Sequence, residues 1–239
     1  SLGLSFLKKD RNINPDVILN CVGITKRKIT NCNISQTIET NALFPHKLTK
    51  IARTNLKRVI HFSTDCVFDG AIGNYSEKST TTAIDLYGRT KALGEIYDSN
   101  VLTIRSSFIG LELYDKTELL EWFLKQSGNQ ISGFRNTFYS GVSTIFMARV
   151  VKNIILEHQN LQGLYQLAPI TPISKYDLLT IAKNVFRIKV DIIPDIAHFH
   201  LPTLNGDKLR KEMNLVIPSW EKMMQDLSSN MEFYKNLNS

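Results

Sequence analysis

Three short strand-like segments constrain this chain more than anything else in it: Asp16-Val-Ile-Leu-Asn20, Arg58-Val-Ile-His-Phe-Ser63 and Leu102-Thr-Ile-Arg-Ser106. The first is a short apolar run after Pro15, typical of a parallel strand buried on both faces, and the other two read as the next strands. Between the first two lies Ile34 to Thr54, with Ile38, Ala42, Leu48 and Ala52 among positions at helical spacing. Pro45 is expected to bend or divide that helix. Between the second and third, a loop with Asp69-Gly70 and Gly73-Asn74 leads into a helix expected from about Asp85 to Tyr97. Strand, helix, strand, helix, strand predicts an α/β fold built on a doubly wound parallel sheet.

The second half has a different texture. Glu118 to Lys125 reads as helical, and Phe146 to Glu157 as a strong amphipathic helix. Leu164-Tyr-Gln-Leu167 is a short strand. Ser174 is placed to cap a helix from Lys175 to Phe186, with Asp177 at its third position, where a negative charge suits the dipole. Val190 to Ile193 is another short strand, and Ser219 can cap a last helix beginning near Trp220. No internal repeat or linker-like composition interrupts the chain. A boundary near Gly110 separates a sheet domain, residues 1–110, from a smaller lobe, residues 111–239, that can return strands to the main sheet.

Composition narrows the function classes. An apolar fraction of 43% without low-complexity tracts fits a soluble globular protein. No stretch approaches the roughly 18 consecutive apolar residues of a spanning helix. Residues 1–10 lack the order of a signal peptide. The three cysteines, Cys21, Cys32 and Cys66, lack CxxC spacing and argue against a disulfide framework or a zinc site. The simplest expectation is a cytoplasmic protein without a membrane partner. The net charge of +7 gathers at Lys8-Lys9, Lys26-Arg27-Lys28, Lys57-Arg58 and Lys208 to Lys211. A solvated face accounts for such clusters, and an anionic ligand such as a nucleotide diphosphate would also be drawn to them. No helix-turn-helix, finger or aromatic context accompanies them, so no nucleic-acid partner is expected.

Chemistry concentrates at Thr64, Tyr87 and Lys91. Thr64 follows a strand, and ligands of open parallel sheets bind outside the carboxyl ends of the strands. Asn20 and Arg105 lie near the ends of the other two segments. Tyr87 and Lys91, four apart on a helix, share one face. A phenol beside a fixed cation loses its proton more readily and can exchange it with a substrate oxygen. Alone, Thr64 could simply cap a loop, and a Tyr-x-x-x-Lys spacing occurs on any exposed helix. Their succession, Ser-Thr-Asp after a strand and then Tyr-x-x-x-Lys in the next helix, is far more specific. His198-Phe-His200 has no acidic or cysteine partner nearby in sequence, and no metal site is expected. His61 reads as a packed histidine. Nothing positions a base to make Cys66 a nucleophile.

Ser63-Thr-Asp-Cys-Val-Phe-Asp-Gly70, Tyr75, Tyr87-Gly-Arg-Thr-Lys-Ala-Leu-Gly-Glu95 and Leu102-Thr-Ile-Arg-Ser-Ser107 resemble the extended short-chain dehydrogenase/reductases, in particular their dTDP-4-dehydrorhamnose reductase branch. The resemblance continues through Asp16 to Gly23, Ser140 to Thr144, Gly163 to Tyr165, Ile173 to Leu178 and Leu209 to Trp220. It implies a Rossmann-like sheet domain with a substrate-binding lobe, and NADPH or NADH as cofactor. It makes Tyr87 the proton donor to a 4-keto sugar, with Thr64 on the same oxygen. Lys91 would hold the nicotinamide ribose. Cys21, Val22, Gly23 and Ser63 would join Tyr87 and Lys91 along the cofactor. Cys66, Phe108, Arg135 and Asn136 would line the nucleotide-sugar site, with Tyr139 to Thr144 nearby, although a lobe needs such loops regardless of ligand. A homodimer is compatible with the resemblance.

Three departures leave the sugar's identity open. Cys66 stands where the family often has an aromatic residue, Phe108 where it often has Trp, and Lys26-Arg27-Lys28 where the loop is usually less basic. No glycine-rich dinucleotide turn occurs in the chain, although such folds open with a unit of about 30 residues carrying one. Ser1 to Phe6 resembles a point beyond that unit, so the expectation is a truncated product, a fragment or a partial gene model that binds NAD(P)H weakly or not at all. The reading is an NAD(P)H-dependent reductase of nucleotide-linked 4-keto sugars for surface polysaccharide synthesis. The alternative is a non-catalytic regulatory or nucleotide-sugar-binding subunit of the same fold.

Overall fold

The three segments come together in one sheet, with the third buried throughout. In the computed structural model, which describes residues 14–29, 34–55 and 57–237, they form β1 (Val17–Asn20), β2 (Arg58–Phe62) and β3 (Val101–Arg105). All three are parallel, with Ile18 opposite Val59 and Ile60 opposite Leu102. The strand Gly163–Gln166 lies beyond β3, giving the order β1, β2, β3, Gly163–Gln166. Every residue of β3 is buried, as expected of a strand covered on both faces. β1 is the edge among the described residues, and Leu19 on it is 45% exposed. Residues 1–13, including Lys8 and Lys9, and Cys32 lie outside the described residues, so the expectations that fall on them stand apart.

The chain divides into two compact units. The first lies within Ser1–Asp69, Glu77–Arg105 and Gln159–Tyr165, and the second within Gly70–Ser76, Ser106–His158 and Gln166–Ser239. In the first, Leu48 and Ala52 pack with Val59, Ile96 and Val101, flanked by Ile18 and Phe44. Their segment departs from one bent helix. It runs as an α-turn over Ile34–Ile38, a π-helical stretch over Glu39–Leu43 and an α-helix over Phe44–Thr54. The Phe44 N–H reaches back to the Glu39 carbonyl, five residues away. Pro45 has no N–H to give Asn41, so the widened turn falls where the regular bond is missing.

The next helix, Leu86–Leu93, starts on Asp85, whose carboxylate accepts the Gly88 N–H at 2.9 Å. It stops four residues short of the expected Tyr97. A Cβ on Gly94 would stand 2.0 Å from the Asn41 carbonyl oxygen, so the glycine lets helix end and π stretch touch. The chain then turns along β3, where the Thr103 hydroxyl donates to the Ile96 carbonyl at 2.9 Å. That turn delivers Glu95 to Arg105. The guanidinium donates twice, from Nε at 2.6 Å and Nη2 at 2.7 Å, and both side chains are only 1% exposed. The Ser63 hydroxyl donates to the same carboxylate at 2.7 Å and the Tyr97 hydroxyl at 3.1 Å.

The second unit is built from short pairings that carry too few residues to show a period. Gln130–Phe134 pairs in parallel with Asp191–Asp195, a strand longer than the expected Val190 to Ile193. Phe108–Ile109 pairs in parallel with Val142–Ser143, and Phe138–Tyr139 antiparallel with Ile173–Ser174. The helices Thr144–Glu157, Lys175–Phe186 and Trp220–Ser229 begin at Ser143, Ser174 and Ser219, each accepting a backbone N–H in its first turn. Trp220–Ser229 is followed by one more helix, Met231–Asn236, which the sequence pattern did not reveal.

Removing one partner of a buried ion pair strands the other charge without water. Arg105→Leu should therefore lower unfolding free energy by about 3–5 kcal/mol, and the double variant Glu95→Leu/Arg105→Leu by less. Urea denaturation of the three proteins measures the difference; a double variant as unstable as the single one contradicts it.

Candidate active site

Thr64, Tyr87 and Lys91 all belong to the first unit. Thr64 leaves β2 in extended conformation and caps a 3-10 turn, Asp65–Val67, its hydroxyl oxygen accepting the Cys66 N–H at 3.2 Å. The same hydroxyl donates to the Asp65 carboxylate at 3.1 Å. It must turn from that carboxylate to serve a substrate oxygen. The Tyr87 helix presses on this turn through Gly88, where a Cβ would stand 2.1 Å from the Cys66 carbonyl oxygen. A glycine one residue after the phenol is thus what lets the Tyr87–Lys91 helix approach the Thr64 turn so closely. Tyr87 itself is half-buried.

Lys91 is buried, and its ammonium donates to the Phe62 carbonyl at the end of β2, 2.6 Å away. Burial pushes its pKa down to about 8, against the opposing pull of the Glu95 carboxylate. One of its three protons is committed to Phe62, leaving donor capacity for a diol or a phenol oxygen. Asp85, at the head of this helix, pairs with Lys26 at 2.9 Å. Burial pushes the Asp85 carboxyl up, but the Gly88 amide and Lys26 together hold it below its ordinary value. Lys26, the first residue of the basic loop, thus has a local partner, although so exposed a pair adds little stability.

Cys21, Val22 and Gly23 follow β1 and are all exposed. Two asparagines hold this segment. Asn20 accepts the Val22 N–H at 3.2 Å. Asn41, in the π stretch, accepts the Ile24 N–H at 2.8 Å and returns a bond to the Ile24 carbonyl at 2.9 Å. Asn41 was missed in the sequence; its one signal is a carboxamide amid an apolar helical pattern, where Asn is disfavoured unless its side chain bonds elsewhere. Ser63 differs from the other residues expected along the cofactor, because its hydroxyl is engaged by Glu95. Cys66 is held as a thiol, burial and Asp65 pushing its pKa to about 12.

The remaining expected residues lie in the second unit. Phe108 is 41% exposed. Arg135 stacks over the Tyr176 ring at 4.1 Å, and Asn136 donates to the Ile196 carbonyl at 2.8 Å. Of Tyr139 to Thr144, Val142 and Ser143 are fully buried and Ser140 accepts the Leu204 N–H, so much of this stretch serves the unit's own packing. Two cavities of about 690 Å³, one bordered by Ile170, Val216 and Trp220 and the other by Arg53, Lys57 and Arg58, contain none of these residues. Among the described residues no cluster of His, Cys, Asp and Glu is arranged to hold a metal ion, and no helix is long and apolar enough to cross a membrane.

The family model described as the RmlD substrate binding domain matches residues 5–232. The chain belongs to this family. The RmlD-family chain is 25% identical to the dTDP-4-dehydrorhamnose reductase of Escherichia coli (strain K12) over 236 residues, covering 88% of this chain and 78% of that one. It is 35% identical to the dTDP-4-keto-6-deoxy-D-glucose reductase of Streptomyces niveus over 82 residues, 34% of this chain and 28% of that protein's length. In fold it is similar to the dTDP-4-dehydrorhamnose reductase of Bacillus anthracis str. Ames, solved in complex with NADP. That likeness has a TM-score of 0.81 and 19% identity, and covers 94% of this chain and 84% of that one. The α/β fold with a parallel sheet is thus the one expected for this RmlD-family chain.

A lysine whose pKa is lowered in the fold binds fewer protons there than in the unfolded chain between about pH 8 and pH 10.5. Stability therefore rises with pH across that window. Compared with Lys91→Met, the native protein should gain stability between pH 8 and pH 10.5, as read from denaturation midpoints; parallel curves contradict the burial of a charged Lys91.

Proposed function

We propose that this RmlD-family protein is a cytoplasmic reductase that uses NAD(P)H to reduce the 4-keto group of a nucleotide-linked sugar. The observation that carries the reading is the approach of the Tyr87 helix, through Gly88, to the strand-end turn capped by Thr64, with Lys91 anchored to the end of the same strand. The names of its relatives, reductases of dTDP-linked keto sugars, support the substrate class.

The chemistry of the donor set fits a nicotinamide cofactor. A buried ammonium retains donor capacity, and an exposed segment of backbone at Cys21–Gly23 lies at the carboxyl end of the sheet, where dinucleotides bind. When bound, that cofactor supplies hydride to the keto carbon. Lys91 would hold its ribose, and Cys21 to Gly23 would run beside it. Tyr87 gives its phenolic proton to the carbonyl oxygen as charge grows there, and the Lys91 ammonium stabilises the phenolate left behind. Thr64 turns its hydroxyl from Asp65 to the same oxygen. Phe108, Arg135 and Asn136 are proposed to meet the sugar nucleotide.

Tyr87→Phe should lower kcat by about 10²–10⁴-fold while leaving NADPH affinity nearly unchanged, measured by turnover and by fluorescence titration. Turnover at the native rate removes Tyr87 from the mechanism. Because Lys91 loses its charge near pH 8, kcat/KM should fall as pH rises through that value. In Lys91→Arg, whose charge persists, the residual activity should show no such fall.

A further inference from the structure

β2 carries a histidine at a position where an aliphatic residue would satisfy the sheet at no polar cost. His61 is fully buried and stands opposite Asn20 in the β1–β2 register. Its Nδ1 faces the Asn20 carboxamide nitrogen at 3.0 Å. The orientation of that carboxamide follows from its other bond, since its oxygen accepts the Val22 N–H. Asn20 therefore donates to His61, and Nδ1 accepts. Burial first, and then the nearby Lys91 and His46, push the imidazole pKa down to about 3, so the ring is neutral at physiological pH. A neutral ring that accepts at Nδ1 carries its proton on Nε2. Among the described residues that Nε2 has no partner. A buried donor left unsatisfied is a standing loss of stability.

What the imidazole provides in return is an acceptor for Asn20, and through Asn20 a fixed position for Val22. The segment Cys21 to Gly23 is exposed at every residue and has no buried side chain of its own to fix it. Its two polar anchors, Asn20 at Val22 and Asn41 at Ile24, define its path instead. Loss of the acceptor at Nδ1 frees the Asn20 carboxamide to rotate away from Val22.

We propose that His61 is a positioning residue that, through Asn20, holds the strand-end segment Cys21–Gly23 in the conformation that receives the cofactor. This inference rests on the NAD(P)H reading above for its consequence, but its structural half can be read without any cofactor. His61 touches neither reacting group, so its removal acts on cofactor affinity and not on the chemical step.

The test uses the whole protein with His61→Leu, which removes the acceptor and the unsatisfied Nε2–H, and with His61→Gln, whose amide oxygen can still accept from Asn20. In His61→Leu the Val22 amide should exchange with deuterium about fivefold faster and the NADPH Kd and KM should each rise about fivefold, the size of one lost hydrogen bond. Its kcat should stay within about twofold and its thermal midpoint should not fall, because an unsatisfied donor has also been removed. His61→Gln should restore both Val22 protection and NADPH affinity. If His61→Leu fails to fold, Asn20→Ala leaves β2 intact and carries the same expectations for Val22 exchange, NADPH affinity and kcat. Unchanged Val22 exchange, or faster exchange with unchanged NADPH Kd, overturns the proposal. A native protein that binds no NADPH overturns the use of NADPH by this chain, not the positioning role, which Val22 exchange in the variants then upholds or overturns on its own.

Discussion

A carboxylate and a guanidinium removed from water hold the first unit together at Glu95 and Arg105. Desolvating both charges is costly, and the cost is offset only because the geometry is bidentate and the carboxylate also receives the Ser63 and Tyr97 hydroxyls. Neither charge can move without abandoning the other in an apolar interior, so the pair fixes everything attached to it. Glu95 lies four residues after Lys91, and Ser63 lies one residue before Thr64. One buried interaction therefore sets both the end of the Tyr87 helix and the end of β2. The two sides of the candidate site inherit their relative placement from a contact that does no chemistry.

Absent side chains complete that placement. Gly88 lets the helix lie against the Cys66 carbonyl, and Gly94 lets its end lie against the Asn41 carbonyl. The helix is thus held between the Thr64 turn on one side and the π stretch on the other. Asn41 turns the second contact into a connection, because its carboxamide carries the loop after β1. Its Nδ2 also lies 3.4 Å from the Thr90 hydroxyl of the same helix. Polar anchors, rather than apolar packing, thereby relate the exposed backbone at Cys21–Gly23 to the helix that carries Tyr87.

The parallel sheet was legible in the sequence because short strand-like segments alternate with helical spacing, and β1, β2 and β3 appear where those segments occur. The helix caps at Ser143, Ser174 and Ser219 follow from local chemistry, although only the last two were read in advance. Thr64, Tyr87 and Lys91 were legible as a set, since their spacing follows from a strand end and one helix face. Three features were not. The two-residue strands of the second unit, such as Phe108–Ile109, are shorter than any period. The early stop at Leu93 depends on a glycine meeting a carbonyl about fifty residues earlier in the chain. The roles of Asn41 and His61 depend on partners in other segments, and no local pattern encodes a partner.

The π stretch at Glu39–Leu43 has an implication for the length of the chain itself. A π-turn holds one more residue than the α-turn it replaces, so it is the geometric trace of a single inserted residue. Deleting Ala42 would let a regular helix run through, and would rotate Asn41 relative to the following helix by about 100°. Its carboxamide would leave Ile24, and the carbonyl that meets Gly94 would shift with it. Substitutions on the outer surface of this segment leave that geometry alone, whereas a change of one in its residue count does not. Related chains aligned across this stretch should therefore be compared first by length and only then by residue identity.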